Sequence, residues 1–157
     1  MSKKKALQDL FPEVGSLCFG CGRNNEQGLQ IKSYCEGDEC ICTFHAKSHH
    51  IAYPGVGCGG IISTILDCHC INTAMYVAYK KENREVGTKP DKIYATASLT
   101  VNFLKPAPID APWVFKAQVS KYSERRIHVI CRIYANEKEI ANGIVIAAHI
   151  NQGNPTS

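Results

Sequence analysis

A chain of 157 residues, 45% of them hydrophobic, is long enough to bury one core and too apolar to be disordered. No apolar run free of polar residues reaches the ~18 needed to cross a membrane, and Met1-Ser2-Lys3-Lys4-Lys5 is not followed by the apolar stretch of a secretory signal. The net charge of +4 is concentrated in Lys3, Lys4 and Lys5, which does not call for nucleic acid, so the expected partner is a small molecule needing at most a local basic patch. Nine cysteines, an odd number without a signal peptide, point to reduced thiols in the cytoplasm.

Residues 1–17 read as an N-terminal leader, with a short helix from Ala6 to Phe11 stopped by Pro12, and a single domain is expected over 18–151. Cys18-Phe19-Gly20-Cys21 could open a zinc site. A structural site needs four ligands, no second Cys-x-x-Cys follows, and the candidate completions (His49, His50, Cys68, His69, Cys70) fit no recognised spacing. The cysteines are therefore read as structural thiols, with no metal and no cofactor expected; Cys40 and Cys42, alternating in a strand, are small buried hydrophobes.

From Gly28 the pattern is that of strands. Leu29, Ile31 and Ser33 alternate with Gln30, Lys32 and Tyr34, Gly37-Asp38 turns the chain, and Glu39 to Phe44 returns as a hairpin. A loop is expected over 49–57, then a helix over 58–79 that is apolar nearly all round and so belongs inside the protein. After a polar loop, strands are expected over 92–104, 113–121, 127–135 and 140–150, with turns at 106–112, 122–126 and 137–139 and a flexible tail at 152–157. In the first of these, Ala95, Ala97, Leu99, Val101 and Phe103 alternate against Thr96, Ser98, Thr100 and Asn102. Two strands, one buried helix and four more strands predict an α+β fold, a curved antiparallel sheet of about six strands wrapped around one long helix.

The chemistry is concentrated at the start of that helix. Gly59 and Gly60 let the backbone approach a ligand without Cβ atoms, and the first helical N–H groups face an anion or a polarised carbonyl. Asp67, seven residues past Gly60, lies roughly 10 Å along the axis, within reach of an extended substrate or of a partner chain's helix start. A lone acid in an apolar helix needs a partner or a function. Cys58 at the helix start is either an activated thiol or a tolerated turn residue. Asp67-Cys68-His69-Cys70 is read as interface packing rather than a metal site, because helical neighbours point different ways.

Three motifs resemble the hotdog-fold acyl-CoA thioesterases, in particular their phenylacetate-pathway-like branch. Cys18-Phe-Gly-Cys-Gly-Arg-Asn-Asn-Glu-Gln-Gly-Leu29 is similar to the family's opening signature. Pro54-Gly-Val-Gly-Cys-Gly-Gly60 with Asp67 resembles its glycine turn and helical aspartate. Thr96-Ala-Ser-Leu-Thr-Val-Asn-Phe-Leu-Lys-Pro106 resembles the strand lining its active site. The resemblance implies hydrolysis of an acyl-CoA to a carboxylic acid and free coenzyme A. Asp67 would be nucleophile or general base, the Gly59 N–H the oxyanion hole, and Thr96 the hydroxyl that orients the water or the carboxylate. Gly60 and Phe103 would contact the substrate, and Lys121, Ser123, Arg125 and Arg126 the coenzyme A phosphates. A homodimer or homotetramer with the site between protomers is implied. Cys58 stands where relatives carry histidine, and no asparagine or glutamine precedes the turn, although His49 and His50 do. Those departures keep open a non-hydrolytic acyl-CoA-binding protein, a ligand sensor or carrier.

Overall fold

In the computed structural model, which describes residues 3–151, the strands are β1 (Ser33–Glu36), β2 (Glu39–Phe44), β3 (Ile51–Tyr53), β4 (Val56–Gly57), β5 (Tyr94–Phe103), β6 (Trp113–Tyr122), β7 (Arg126–Ala135) and β8 (Lys138–His149), with one α-helix, α1 (Gly59–Lys81). Six strands form one sheet in the order β1-β2-β6-β7-β8-β5, antiparallel throughout, and β3 and β4 form a separate small hairpin. The sheet curves around α1, as expected from the sequence. The proposed tail at 152–157 lies outside the described residues.

Period-two alternation accounts for the inner face. Trp113, Phe115 and Ala117 from β6, Ile127, Val129, Cys131 and Ile133 from β7, and Ala141, Val145 and Ala147 from β8 are all essentially buried against Ile62, Ile65 and Leu66 of the helix. Each large side chain removed from water in this way contributes ~1.5–3 kcal/mol. Helix and sheet pack tightly at Gly143, where a Cβ would lie 2.8 Å from Leu66 Cδ1 and 2.4 Å from the Thr100 carbonyl oxygen. Any side chain there would push the helix off the sheet. By length and hydropathy α1 could also cross a membrane (mean hydropathy 1.3), but 61% of its apolar window is enclosed by this protein, as in a core helix.

The four consecutive residues 67–70 point different ways, and Cys68, His69 and Cys70 are buried within this chain. Asp67 meets β5, Cys68 meets the N-terminal segment, and His69 and Cys70 are completely buried. His69 Nε2 lies 3.0 Å from the Cys40 carbonyl and must donate to it, so Nδ1 accepts from Ser33 Oγ at 2.8 Å. Ser33 Oγ in turn accepts from Gln8 Nε2 at 3.0 Å, and the Ser33 N–H donates to Gln8 Oε1 at 2.8 Å. Residues 6–11 are therefore part of the core: Ala6, Leu7, Gln8 and Phe11 are buried, with a 3-10 turn at Leu7–Asp9.

Three expectations are corrected. Leu29–Lys32 is not strand, because the Leu29 and Ile31 amides donate to the Phe19 and Gly20 carbonyls and Gln30 is left-handed (φ 50°), so β1 begins at Ser33. The loop over 49–57 contains the β3–β4 hairpin, turned by Gly55 at φ 80°. Cys35 and Cys40 are not free thiols: they are register partners across the β1–β2 hairpin, and their sulfurs are joined as a disulfide.

Candidate active site

Asp67 sits in the third turn of α1, half-buried, and accepts a hydrogen bond from Thr96 Oγ1 of β5 at 2.5 Å. Burial raises the carboxyl above its ordinary range, and the Thr96 bond pulls it partly back. Beside it lies a cavity of about 320 Å³ whose walls include Phe11, Cys18, Cys68, Ile71 and Tyr94. The N-terminal segment thus supplies one side of the site. The sequence signal for this was the apolar pair Leu7 and Phe11 at helical spacing, both now packed in the core.

Thr96 reaches Asp67 because of an irregularity in β5. Strict alternation would send Thr96 and Phe103 to opposite faces of the sheet. The ladder with β8 shifts between Thr96 and Ser98: Thr96 pairs with Ala147, Ser98 with Ile146, and Leu99 with Val145. Ala97 is the extra residue of a β-bulge, so the inner-face set changes from even to odd positions along the strand. Thr96 before the bulge and Phe103 after it both face α1, the first at Asp67 and the second at Gly59, where a Cβ would lie 3.2 Å from Phe103 Cζ.

The helix start forms a second group. Cys58 is the N-cap residue, with an extended backbone (φ −69°, ψ 125°) and no side-chain capping bond. Its N–H donates to the His50 carbonyl at 2.8 Å, and the Gly57 N–H donates to the Ala107 carbonyl at 2.8 Å, which fixes the turn from both sides. The amides of Gly59 and Gly60 have no acceptor within the helix. His50 is buried, its Nδ1 accepts from the Lys47 N–H at 2.9 Å, and its ring packs on Phe44 and His49; desolvation holds its pKa below the ordinary value. It buttresses the turn through its backbone. Gly59 and Asp67 are eight residues apart, about 12 Å by helix rise, so one chain does not bring them together.

Lys121, Ser123, Arg125 and Arg126 form a third group, lining one surface recess of about 480 Å³ with His128, which sequence reasoning did not single out. Ser123 Oγ is committed to the turn, donating to the Arg126 carbonyl at 2.9 Å and accepting from the Arg126 N–H at 3.0 Å. This recess lies at the Asp67 end of the sheet: Arg126 pairs with Ala148 and Ala148 with Ala95, next to Thr96, two strand spacings or ~10 Å away. Tyr94 links the two by donating to the Glu124 carbonyl at 2.7 Å.

Comparison with known proteins agrees with this architecture. The chain is 28% identical over 99 residues to acyl-coenzyme A thioesterase THEM4 of Rattus norvegicus, a match covering 63% of this chain and 37% of that protein, so it spans little more than a third of that relative's length. A thioesterase superfamily protein from Shewanella loihica superposes with a TM-score of 0.63 at 26% identity over 77% of this chain and 91% of that one. The E. coli PaaI protein from the phenylacetic acid degradation operon shares the fold, with a TM-score of 0.64 at 14% identity over 78% and 81% of the two chains. The family model described as "Thioesterase superfamily" matches residues 55–141, more than half of the sequence and all of the turn, helix and strand that carry Asp67 and Thr96. This chain belongs to the thioesterase superfamily.

Proposed function

We propose that the protein is an acyl-CoA thioesterase whose active site is completed across a homodimer. The Asp67–Thr96 contact beside the cavity carries the reading: a desolvated carboxylate is held by a hydroxyl from a different element, with open space next to it. Asp67 acts as general base. It takes a proton from water, the resulting hydroxide adds to the thioester carbonyl, and the tetrahedral intermediate expels coenzyme A, whose sulfur receives the proton as the C–S bond breaks. Attack by the carboxylate itself would instead form a mixed anhydride that water hydrolyses to the same products. Thr96 orients the carboxylate in either route. The oxyanion is received by the Gly59 N–H of the second copy, since the same chain's Gly59 is too far away.

Two features support the dimer. β5 is an outer edge over ten residues, with its backbone free to pair, and Leu99, Phe103 and Leu104 expose 40–55% of their surface along it. Pairing β5 with its copy would cover Phe103 and Thr96, both exposed in one chain. The basic recess is assigned to coenzyme A phosphates. Cys58, with no side-chain capping bond, favours a second reading, an acyl-CoA-binding protein without turnover.

The experiment is a panel of acyl-CoAs, from acetyl to palmitoyl with phenylacetyl and benzoyl, assayed by direct loss of the thioester with wild type and Asp67→Asn in parallel. Turnover by wild type alone supports the thioesterase. Calorimetric binding of acyl-CoA without turnover by either protein would replace it with the binding protein.

A further inference from the structure

The pocket beside Asp67 has a wall that the proposed hydrolysis does not use. Cys18 and Cys21 come from the N-terminal segment and Cys68 from α1, and their three sulfurs lie within 4.8 Å of one another. Cys18 Sγ and Cys68 Sγ are 3.7 Å apart. A disulfide requires about 2.05 Å, whereas thiolates ~2.3 Å from a tetrahedral ion sit about 3.8 Å from each other. The separation is that of two corners of a metal tetrahedron.

The surrounding residues fit the same geometry. Cys18-Phe19-Gly20-Cys21-Gly22 forms a Cys-x-x-Cys-Gly turn, closed by the Gly22 N–H donating to the Cys18 carbonyl at 2.8 Å. Gly20 is obligatory here: a Cβ on it would lie 2.4 Å from Cys68 Sγ and block the turn from closing over the helix. Asn72, one helical turn beyond Cys68, lines the same cavity as Cys18, Cys21 and Cys68. It is 97% buried, and its Nδ2 has no hydrogen-bond partner. A buried amide donor left without an acceptor is costly, and a metal-bound thiolate at Cys21 would be its acceptor.

We propose that Cys18, Cys21 and Cys68 bind a zinc ion, with Asn72 donating to the Cys21 thiolate from outside the coordination sphere. Binding exchanges three thiol protons for the ion. Among the described residues no fourth histidine, cysteine or carboxylate joins the cluster, so water takes the remaining position. The soft three-sulfur donor set selects zinc over magnesium or calcium. The ion fastens the 18–22 turn to α1 and so fixes the wall of the cavity beside Asp67. Cys68 is one of the completions the sequence offers for Cys18 and Cys21, but at 50 residues from Cys18 it fits no recognised spacing and was not favoured.

The test uses the full chain, reduced and freed of metal, titrated with cobalt(II) and then zinc(II). One equivalent of cobalt should give thiolate-to-cobalt charge transfer and tetrahedral d–d absorption, displaced by one equivalent of zinc. Cys68→Ser should weaken zinc binding by more than ~100-fold and Asn72→Leu by about 10-fold, since outer-shell partners alone are worth 10–100-fold. Cys58→Ser should leave the spectrum unchanged. Should Cys68→Ser not fold, alkylation of wild type decides: Cys18 and Cys21 should be protected by zinc and become reactive on chelation. No thiolate–cobalt band, a band that survives Cys68→Ser, or equal alkylation with and without zinc would each overturn the assignment. None of these readouts depends on thioester turnover.

Discussion

The two ends of the N-terminal half of α1, where we place the active site, differ in what they are made of. At Gly59 the candidate groups are backbone amides, placed by the β4–α1 turn and packed against the exposed ring of Phe103. At Asp67 the functional group is a side chain, half-buried, held by Thr96 and flanked by a cavity. Backbone groups keep their identity under substitution and fail only when displaced. A side chain can be deleted outright. The two ends should therefore break in different ways.

The largest effect is expected from Asp67→Asn. The substitution keeps the shape and removes the base, so kcat should fall by about 10³-fold, within the range of general-base losses. The melting temperature should hold or rise, because a carboxylate that burial already disfavours is replaced by a neutral amide. A parallel loss of folding would show that the acid is structural.

Next in size is a pH effect that separates fold from chemistry. Complete burial lowers the His69 pKa to about 4, so the folded protein holds a neutral ring that the unfolded chain would protonate near its ordinary 6.5. Stability supplied by neutral His69 is full above that value and is lost as pH falls toward 4, on the order of 3 kcal/mol. Urea melts at pH 7.5 and 4.5 should show a steeper loss for wild type than for His69→Asn. Parallel losses would place the acid sensitivity elsewhere.

At the other end of the helix, Gly59→Val should lower kcat by about 10²-fold, comparable to losing one oxyanion donor, because its Cβ would crowd Phe103 at 3.2 Å and shift the turn. Gly59→Val combined with Phe103→Ala should recover part of that loss if crowding is the cause. No recovery would mean that the turn itself needs glycine. The smallest effect is expected from Thr96→Val. It should reduce kcat about 10-fold with little change in KM, in line with the loss of one hydrogen bond to a charged group.

The helix and the positions of the main sheet strands along the chain were legible because burial imposes periodicity, and periodicity survives in sequence. Asp67 and the Gly59–Gly60 turn could be nominated because one acid in an apolar helix and paired glycines before it are chemically conspicuous, whereas Thr96, one threonine in a strand rich in them, was nominated only through the resemblance of its strand to that of the thioesterases. The bulge at Ala97 was not legible: one extra residue in a run of alternating small and apolar side chains changes no composition and breaks no pattern. Read without it, Thr96 and Phe103 fall on opposite faces. The N-terminal segment was missed for another reason. Its contribution depends on Gln8 bonding Ser33, 25 residues on, and on Ser33 bonding His69, a further 36 residues on, and such bonds leave no local mark.

The bulge in β5 makes one strand behave as two independently addressable modules. Residues ahead of it answer to Asp67, and residues behind it answer to the glycine turn. Removing the break would invert the orientation of one module and leave the other untouched. Deleting Ala97 would turn Tyr94, Ala95 and Thr96 inside out while Leu99, Val101 and Phe103 kept their places. One inserted residue thus supplies the hinge at which this scaffold can change what it presents to Asp67 without disturbing what packs on the glycine turn.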